Sequence, residues 1–260
     1  MSDQPPHSSA ASTASSYSAS VGSASKFPYT LLLSPEFLVC AGSILFKLPA
    51  GPSSTRPSTT VNGLTRLWSL RTSPNNLNTS TVLDVSSDDE EPGDPLQICL
   101  IHHLRKKEYL LSKGRKDLFE DSLLTTAMRE TYEETGYPCK PVPVTLTTRA
   151  PVPGKDIKDN PAGRPVHDCI EPFAITIRNV APGNVKLIHW FISEVTGEFQ
   201  PGTLMPSESS FRSCWFEADE AVQLLTYEHD REVARQALRL VREELKRRRK
   251  LTGNVVTAKR

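Results

Sequence analysis

The chain has no Cys-x-x-Cys pair, no apolar run near the roughly 20 residues of a membrane span, and no apolar segment of the secretory-signal kind at its N-terminus. Cys40, Cys99, Cys139, Cys169 and Cys214 stand apart, an odd number without metal-site spacing. That argues against zinc and for free thiols in a reducing compartment. Net charge is scarce as well, +1 at pH 7 over 260 residues, so any attraction for a polyanion must be local. Hydrophobic residues make up only 37%, and 21 prolines outnumber 13 glycines, which suggests a folded core with substantial unstructured additions. These absences point to a soluble, cytoplasmic protein, with the nucleus also open, and to no membrane partner. The length suits one good-sized domain with extensions, or two small domains.

Along the chain, residues 1–26 are Ser/Ala-rich and almost without aliphatic side chains, and are expected to be a disordered tail. Residues 37–48 read as a buried strand kinked at Gly42. From about Pro49 to Pro95 the chain turns rich in Pro, Ser, Thr and Asn and holds the acidic run Ser86-Ser87-Asp88-Asp89-Glu90-Glu91. A stretch of that length and composition is expected to be a solvated insertion between two strands. Residues 96–103 read as the next strand, and a basic turn, Arg105-Lys106-Lys107, leads into Tyr109-Leu110-Leu111. A polar, basic loop is expected near 149–168, then strands over 173–178 and 185–192 and a short one at Cys214-Trp215-Phe216. Residues 217–248 are helical in pattern, with Ala221, Leu224, Leu225, Val233, Ala234, Ala237, Leu238, Val241 and Leu245 at 3–4 spacing. The sum is an α/β domain over 27–245 and a basic tail over 246–260. Lys246-Arg247-Arg248-Arg249-Lys250 has the composition of a nucleic-acid or import patch, but cations that finish a helix against its dipole are the plainer account. A nucleic-acid partner is therefore not favoured.

The chemistry is concentrated after residue 112. Spacing predicts a helix from about Ser122 to Thr135, with Leu124, Ala127, Met128 and Thr131 as its buried stripe, ended by Gly136 and Pro138. Glu130, Glu133 and Glu134 fall at i, i+3 and i+4, so their carboxylates leave one face, away from that stripe. Like charges so close repel unless a cation sits among them, and hard oxygen ligands suit Mg²⁺ or Mn²⁺. Arg129, four residues before Glu133, is placed to brace it. Upstream, Lys113-Gly114-Arg115-Lys116 is a glycine turn with cations beside it, suited to phosphate oxygens. Taken alone, the acids are better explained as a solvated helix face, since charge runs usually are. The turn, the cations, the arginine and the helix stop at fixed offsets reverse that balance.

Arg129-Glu130-Thr131-Tyr132-Glu133-Glu134-Thr135-Gly136-Tyr137 matches the second half of the Nudix box, Arg-Glu-U-x-Glu-Glu-x-Gly-U, with Thr131 where an apolar U is usual. In the first half, Gly-x5-Glu-x7-Arg, Gly114 and Glu120 fit, but eight residues then precede Arg129. Counting back from Arg129 places the acid at Asp121 instead. Ala41-Gly42-Ser43-Ile44-Leu45-Phe46 is similar to the family's opening strand. Leu111-Ser112-Lys113-Gly114 is similar to its Leu-Pro-Lys-Gly entry, with Ser112 for Pro. The chain thus resembles Nudix hydrolases over about 30–245, the insertion excepted.

That resemblance implies an α/β/α sandwich around a mixed β-sheet and the hydrolysis of a nucleoside diphosphate linked to another moiety. It implies a metal held by Glu130, Glu133 and Glu134, with the Gly114 carbonyl and Asp121 or Glu120 as outer ligand. One of the three helical glutamates would act as base, Glu130 slightly preferred. Lys113, Arg115 and Lys116 would neutralise a small-molecule polyphosphate. Arg105, Lys106, Lys107, Arg149, Lys155, Lys158 and Arg164 are either solvated loop charge or further phosphate contacts. In the second case they favour dinucleoside polyphosphates such as diadenosine tetraphosphate, or diphosphoinositol polyphosphates. A different class, a degenerate Nudix fold that only binds nucleotide or RNA, is favoured by the one-residue slip and opposed by the intact glutamates.

Overall fold

A computed structural model describes residues 29–49 and 96–257, with side chains through Leu251. The expected N-terminal tail, and the expected insertion except for Pro49, lie outside the described residues. The chain divides into two units, Met1–Ser34 and Pro35–Arg260; of the first, residues 29–33 lack regular structure.

The second unit is built on β1 (Phe37–Lys47) and β9 (Asn184–Val195), two long strands that pair in parallel from Phe37↔Val185 to Phe46↔Glu194. Burial of Cys40 to Phe46 without interruption marks a strand covered on both faces. Its neighbours are antiparallel, which makes the sheet mixed. β2 (Gln97–His103) joins β1 and also pairs with β10 (Phe211–Glu217) and β3 (Glu108–Leu110). β4 (Lys113–Arg115) lies along β1, and β5 (Cys139–Pro141) and β8 (Ala174–Ala181) lie along β9. β6 (Val144–Thr148) and β7 (Arg164–Cys169) form a separate two-stranded ribbon. β7 corrects the loop expected through residue 168. Its exposure alternates from Arg164 to His167, a strand signal that Pro165 obscures in the sequence.

On one face lies α1 (Leu123–Thr135), whose Ala127 packs with Ala41 and Phe191, and with Leu123, Leu124 and Met128 at the margin. On the other face lie α2 (Ala218–Leu224) and α3 (Glu228–Thr257), over a larger core that includes Ile44, Phe46, Leu100, Trp190, Ala234 and Val241. This is the expected three-layer sandwich. The helical pattern expected over 217–248 divides into two helices, because Thr226 turns aside to bond β3: its N–H donates to the Tyr109 carbonyl, and its Oγ1 accepts from the Tyr109 N–H. The tail expected from 246 is a further correction. α3 runs on to Thr257, so the basic cluster sits within a helix rather than at its end. Arg247 there pairs with Glu244 and Asp168, and Arg248 with Glu244.

Two departures from the family pattern explain each other. Thr131 of α1 and Ser112 ahead of β4 are both buried, and their hydroxyls lie 3.2 Å apart. Ser43 of β1 reaches Thr131 at 2.7 Å and Ser193 of β9 at 2.6 Å, while Ser112 donates to the Ser43 carbonyl. Each hydroxyl thereby has a partner, so none bears the cost of burial unsatisfied. The network ties α1 to β1, to β9 and to the residue that leads into β4.

Candidate active site

α1 starts and stops at defined points. The Ser122 hydroxyl accepts from the Thr125 N–H as N-cap, and Gly136, at φ 76°, closes the helix with its N–H on the Tyr132 carbonyl. Residue 121 is thereby absorbed before the cap. The ambiguity over the outer acid resolves at Glu120: its Oε1 lies 2.7 Å from Arg129 Nε, and its Oε2 accepts from Thr126 Oγ1 and the Asp117 N–H. Asp121 is exposed. Of the two candidates for the outer acid, Glu120 is therefore the one joined to Arg129, and Asp121 faces solvent.

Arg129 uses all five of its donors. Nη1 reaches both Glu130 Oε1 (2.8 Å) and Glu133 Oε2 (2.9 Å), and Nη2 reaches the Arg115 carbonyl and Glu120 Oε2. The bonds to Glu120, above all, hold the Glu120 carboxyl down at about 2 and push the guanidinium above its ordinary value. The arginine is therefore a fixed brace that holds two helical carboxylates together.

The three glutamates do not share one solvated face. Glu130 and Glu134 are 8% and 6% exposed, turned toward the sheet, and only Glu133 is partly open. The sequence places them on one side of a helix but cannot show that this side is roofed by β4. Glu130 lies so close to Gly114 that any Cβ there would run into its carboxylate. Glu134 Oε2 accepts the Lys113 N–H at 2.9 Å. Burial raises the Glu130 carboxyl against the pull of Arg129, and it drives Glu134 to about 8 despite Lys113. Glu208, in the turn Pro206–Glu208, adds its charge to both. Sequence reasoning missed Glu208, since nothing in an isolated loop glutamate signals proximity to a helix more than 70 residues earlier.

Among the described residues no three His, Cys, Asp or Glu side chains already stand as a ready-made ion cage. The donor chemistry nonetheless fits a hard divalent ion. Glu130 and Glu134 are buried carboxylates raised by burial, with Glu133 beside Glu130 on the same guanidinium nitrogen and a glycine backbone against them.

The expected phosphate cations separate. By strand alternation Lys113 and Arg115 share the face opposite Gly114. Their charges act on Cys40, in the core beneath α3, and Lys113 acts also on Asp230 of α3. Since Gly114 faces Glu130, alternation puts Arg115 on the other face of β4, and Lys113 acts on both Glu134 and Asp230. Lys116 bonds the Asp117 carbonyl. In the β6–β7 loop Arg149 is paired with Asp159. The turn Arg105-Lys106-Lys107 follows two anchored residues: the Leu104 N–H donates to the Ser210 carbonyl, and His103 meets Phe211 edge to face. Phe211 in turn walls a cavity of about 420 Å³ that also takes in Glu134, Tyr137, Phe199 and Arg212.

A mixed-sheet α/β/α sandwich with an arginine-braced acidic helix pressed onto a glycine-containing edge strand is the architecture these observations define. The NUDIX domain profile matches residues 81–241, more than half of the chain, and the chain belongs to that family. Among solved structures, a NUDIX hydrolase from Nitrosomonas europaea aligns at 13% identity over 78% of this chain and 88% of its own, with a TM-score of 0.39. The Ap4A hydrolase of C. elegans aligns at 14% identity over 80% and 98%, with a TM-score of 0.40. A NUDIX-family hydrolase from Clostridium perfringens aligns at 12% identity over 80% and 99%, also at 0.40. Curated protein sequences give no match.

Proposed function

We propose that the chain is a divalent-metal-dependent hydrolase that cleaves a diphosphate linkage, with a dinucleoside polyphosphate such as diadenosine tetraphosphate as its substrate. The observation that carries this is the packing of Glu130 and Glu134 beneath β4, two buried acids with Glu133 beside them and Arg129 as the bonded cation. Glu130, Glu133 and Glu134, with the Gly114 carbonyl, would hold Mg²⁺ or Mn²⁺. Such an ion neutralises phosphate charge and makes a water acidic enough to attack phosphorus near neutral pH.

The chain's own part is positional. Arg129 keeps Glu130 and Glu133 side by side, and the Lys113 N–H fixes one oxygen of Glu134. Glu130, with its carboxyl raised by burial, is suited to take the proton of the attacking water. The basic turn at 105–107 follows Leu104, whose N–H is held by the Ser210 carbonyl, and would offer charge to a phosphate chain leaving the acidic turn. The support for a long chain is the run of three successive cations, Arg105, Lys106 and Lys107, next to that anchored residue.

A panel of diadenosine tetraphosphate, a diphosphoinositol polyphosphate and ATP, with and without Mg²⁺, tests the proposal. Efficiency on diadenosine tetraphosphate should exceed that on ATP and fall with ionic strength. Glu133→Gln and Glu134→Gln should each lose on the order of 10²-fold in kcat with the fold kept. Full activity in the double variant, or activity without divalent metal, would overturn the mechanism; better turnover of the inositol substrate would overturn the substrate class.

A further inference from the structure

We propose that the cavity at the C-terminal end of α1 is a nucleobase site, which grips the base of the substrate while the phosphates lie over Glu130, Glu133 and Glu134. The proposal rests on the hydrolase reading above and names the part of the substrate that confers recognition. The cavity, about 420 Å³, falls in the size range of small-ligand sites, roughly 300–1,000 Å³. Three aromatic rings line it: Tyr137, Phe199 and Phe211. Glu134 also lines it, one helical turn from Glu130, so a base seated there places its nearest phosphates at the acidic turn.

Phe199 is the telling residue. It is 50% exposed, yet it has not collapsed into the core, because its loop is strapped to the end of α1. The Gln200 N–H donates to the Gly136 carbonyl (2.7 Å), the Thr196 N–H to Pro138 (2.8 Å), and Thr203 Oγ1 to Glu133 (2.8 Å). Tyr137 meets Phe199 edge to face at 5.5 Å and Trp215 at 5.3 Å from behind. A ring held open at this point offers a face for stacking, with its ordering cost already met before a ligand arrives. Charge decides between ligands. Arg212 is the only cation among the lining residues, and its Nη1 already serves the Ser209 and Phe211 carbonyls. A ring crowded with phosphates would find one guanidinium for counter-charge, with the Glu134 carboxyl opposing it, whereas a neutral planar base needs none.

Titration calorimetry of the full chain with Mg²⁺, comparing adenosine 5′-monophosphate with ribose 5-phosphate, tests this without turnover. The nucleotide should bind on the order of ten- to a hundredfold more tightly, and Phe199→Ala should abolish that preference while Phe199→Trp keeps it. Equal binding of the two ligands by the wild type, or a preference intact in a folded Phe199→Ala protein, overturns the base site. The two proposals fail separately. A base preference in a protein that hydrolyses no diphosphate strikes only the hydrolase reading. Brisk hydrolysis that treats diadenosine tetraphosphate and inorganic tripolyphosphate alike strikes only the base site.

Discussion

Glu134 concentrates the tension in the site, for it is an acid whose carboxyl burial pushes up to about 8. A carboxyl raised on folding favours the folded state fully below its unfolded value of about 4.5, and that contribution fades as pH climbs through about 8. Metal reverses the preference, since a ligand carboxylate must be ionised. Mg²⁺ should therefore raise Tm more at about pH 8.5 than at about pH 6, and Glu134→Gln should flatten the difference. Equal Mg²⁺ shifts at both pH values in the wild type would show that Glu134 takes no part in holding the ion. At this scale the sequence was informative about which residues gather and silent on how they are covered. The i, i+3, i+4 spacing of Glu130, Glu133 and Glu134 was legible from helical geometry alone. Glu208 was not, and neither was the facing of Lys113 and Arg115, which depends on the register of a three-residue edge strand.

Among the elements, β4 is short and singly paired, and much of the site depends on it. It is three residues long, pairs only with β1, and supplies both the backbone against Glu130 and the N–H on Glu134. Its approach to β1 requires Gly42, where any Cβ would collide with the Ser112 carbonyl and the Lys113 backbone. Gly42→Ala should consequently displace β4, costing roughly 2–3 kcal/mol in denaturant unfolding and lowering Mg²⁺ affinity together. A variant with wild-type unfolding and wild-type metal binding would show that the strands need not lie so close. The sequence reading marked Gly42 as a kink within a strand, but the reason for the glycine lies across the sheet. Similarly, β7 and the break between α2 and α3 escaped notice because a proline interrupts the one pattern, and a hydrogen bond to Tyr109, 117 residues earlier, makes the other.

For the molecule as a whole, the question is how a domain tolerates 49 residues, 48–96, between its first two strands. The described ends answer part of it. β1 and β2 pair antiparallel with Phe46 opposite Ile98 and Lys47 opposite Gln97, so the chain leaves and re-enters the sheet at adjacent positions. Leu48 and Leu96, just inside those ends, pack against the main core. A hairpin connection of a few residues would span the gap, and closing a shorter loop costs less entropy. Replacing residues 52–92 with a Gly/Ser linker of about six residues should thus stabilise the protein by roughly 1–2 kcal/mol, from the logarithmic dependence of closure entropy on length. Catalytic efficiency on the preferred polyphosphate should stay within about threefold, since every group placed in the acidic turn or the aromatic cavity lies after residue 110. Thermal melting and steady-state kinetics on the shortened chain check both halves. A lower Tm would mean that Leu64, Leu67, Trp68 and Leu70 contribute apolar surface to the core. An unchanged Tm with a raised KM would instead assign the excised segment to substrate binding.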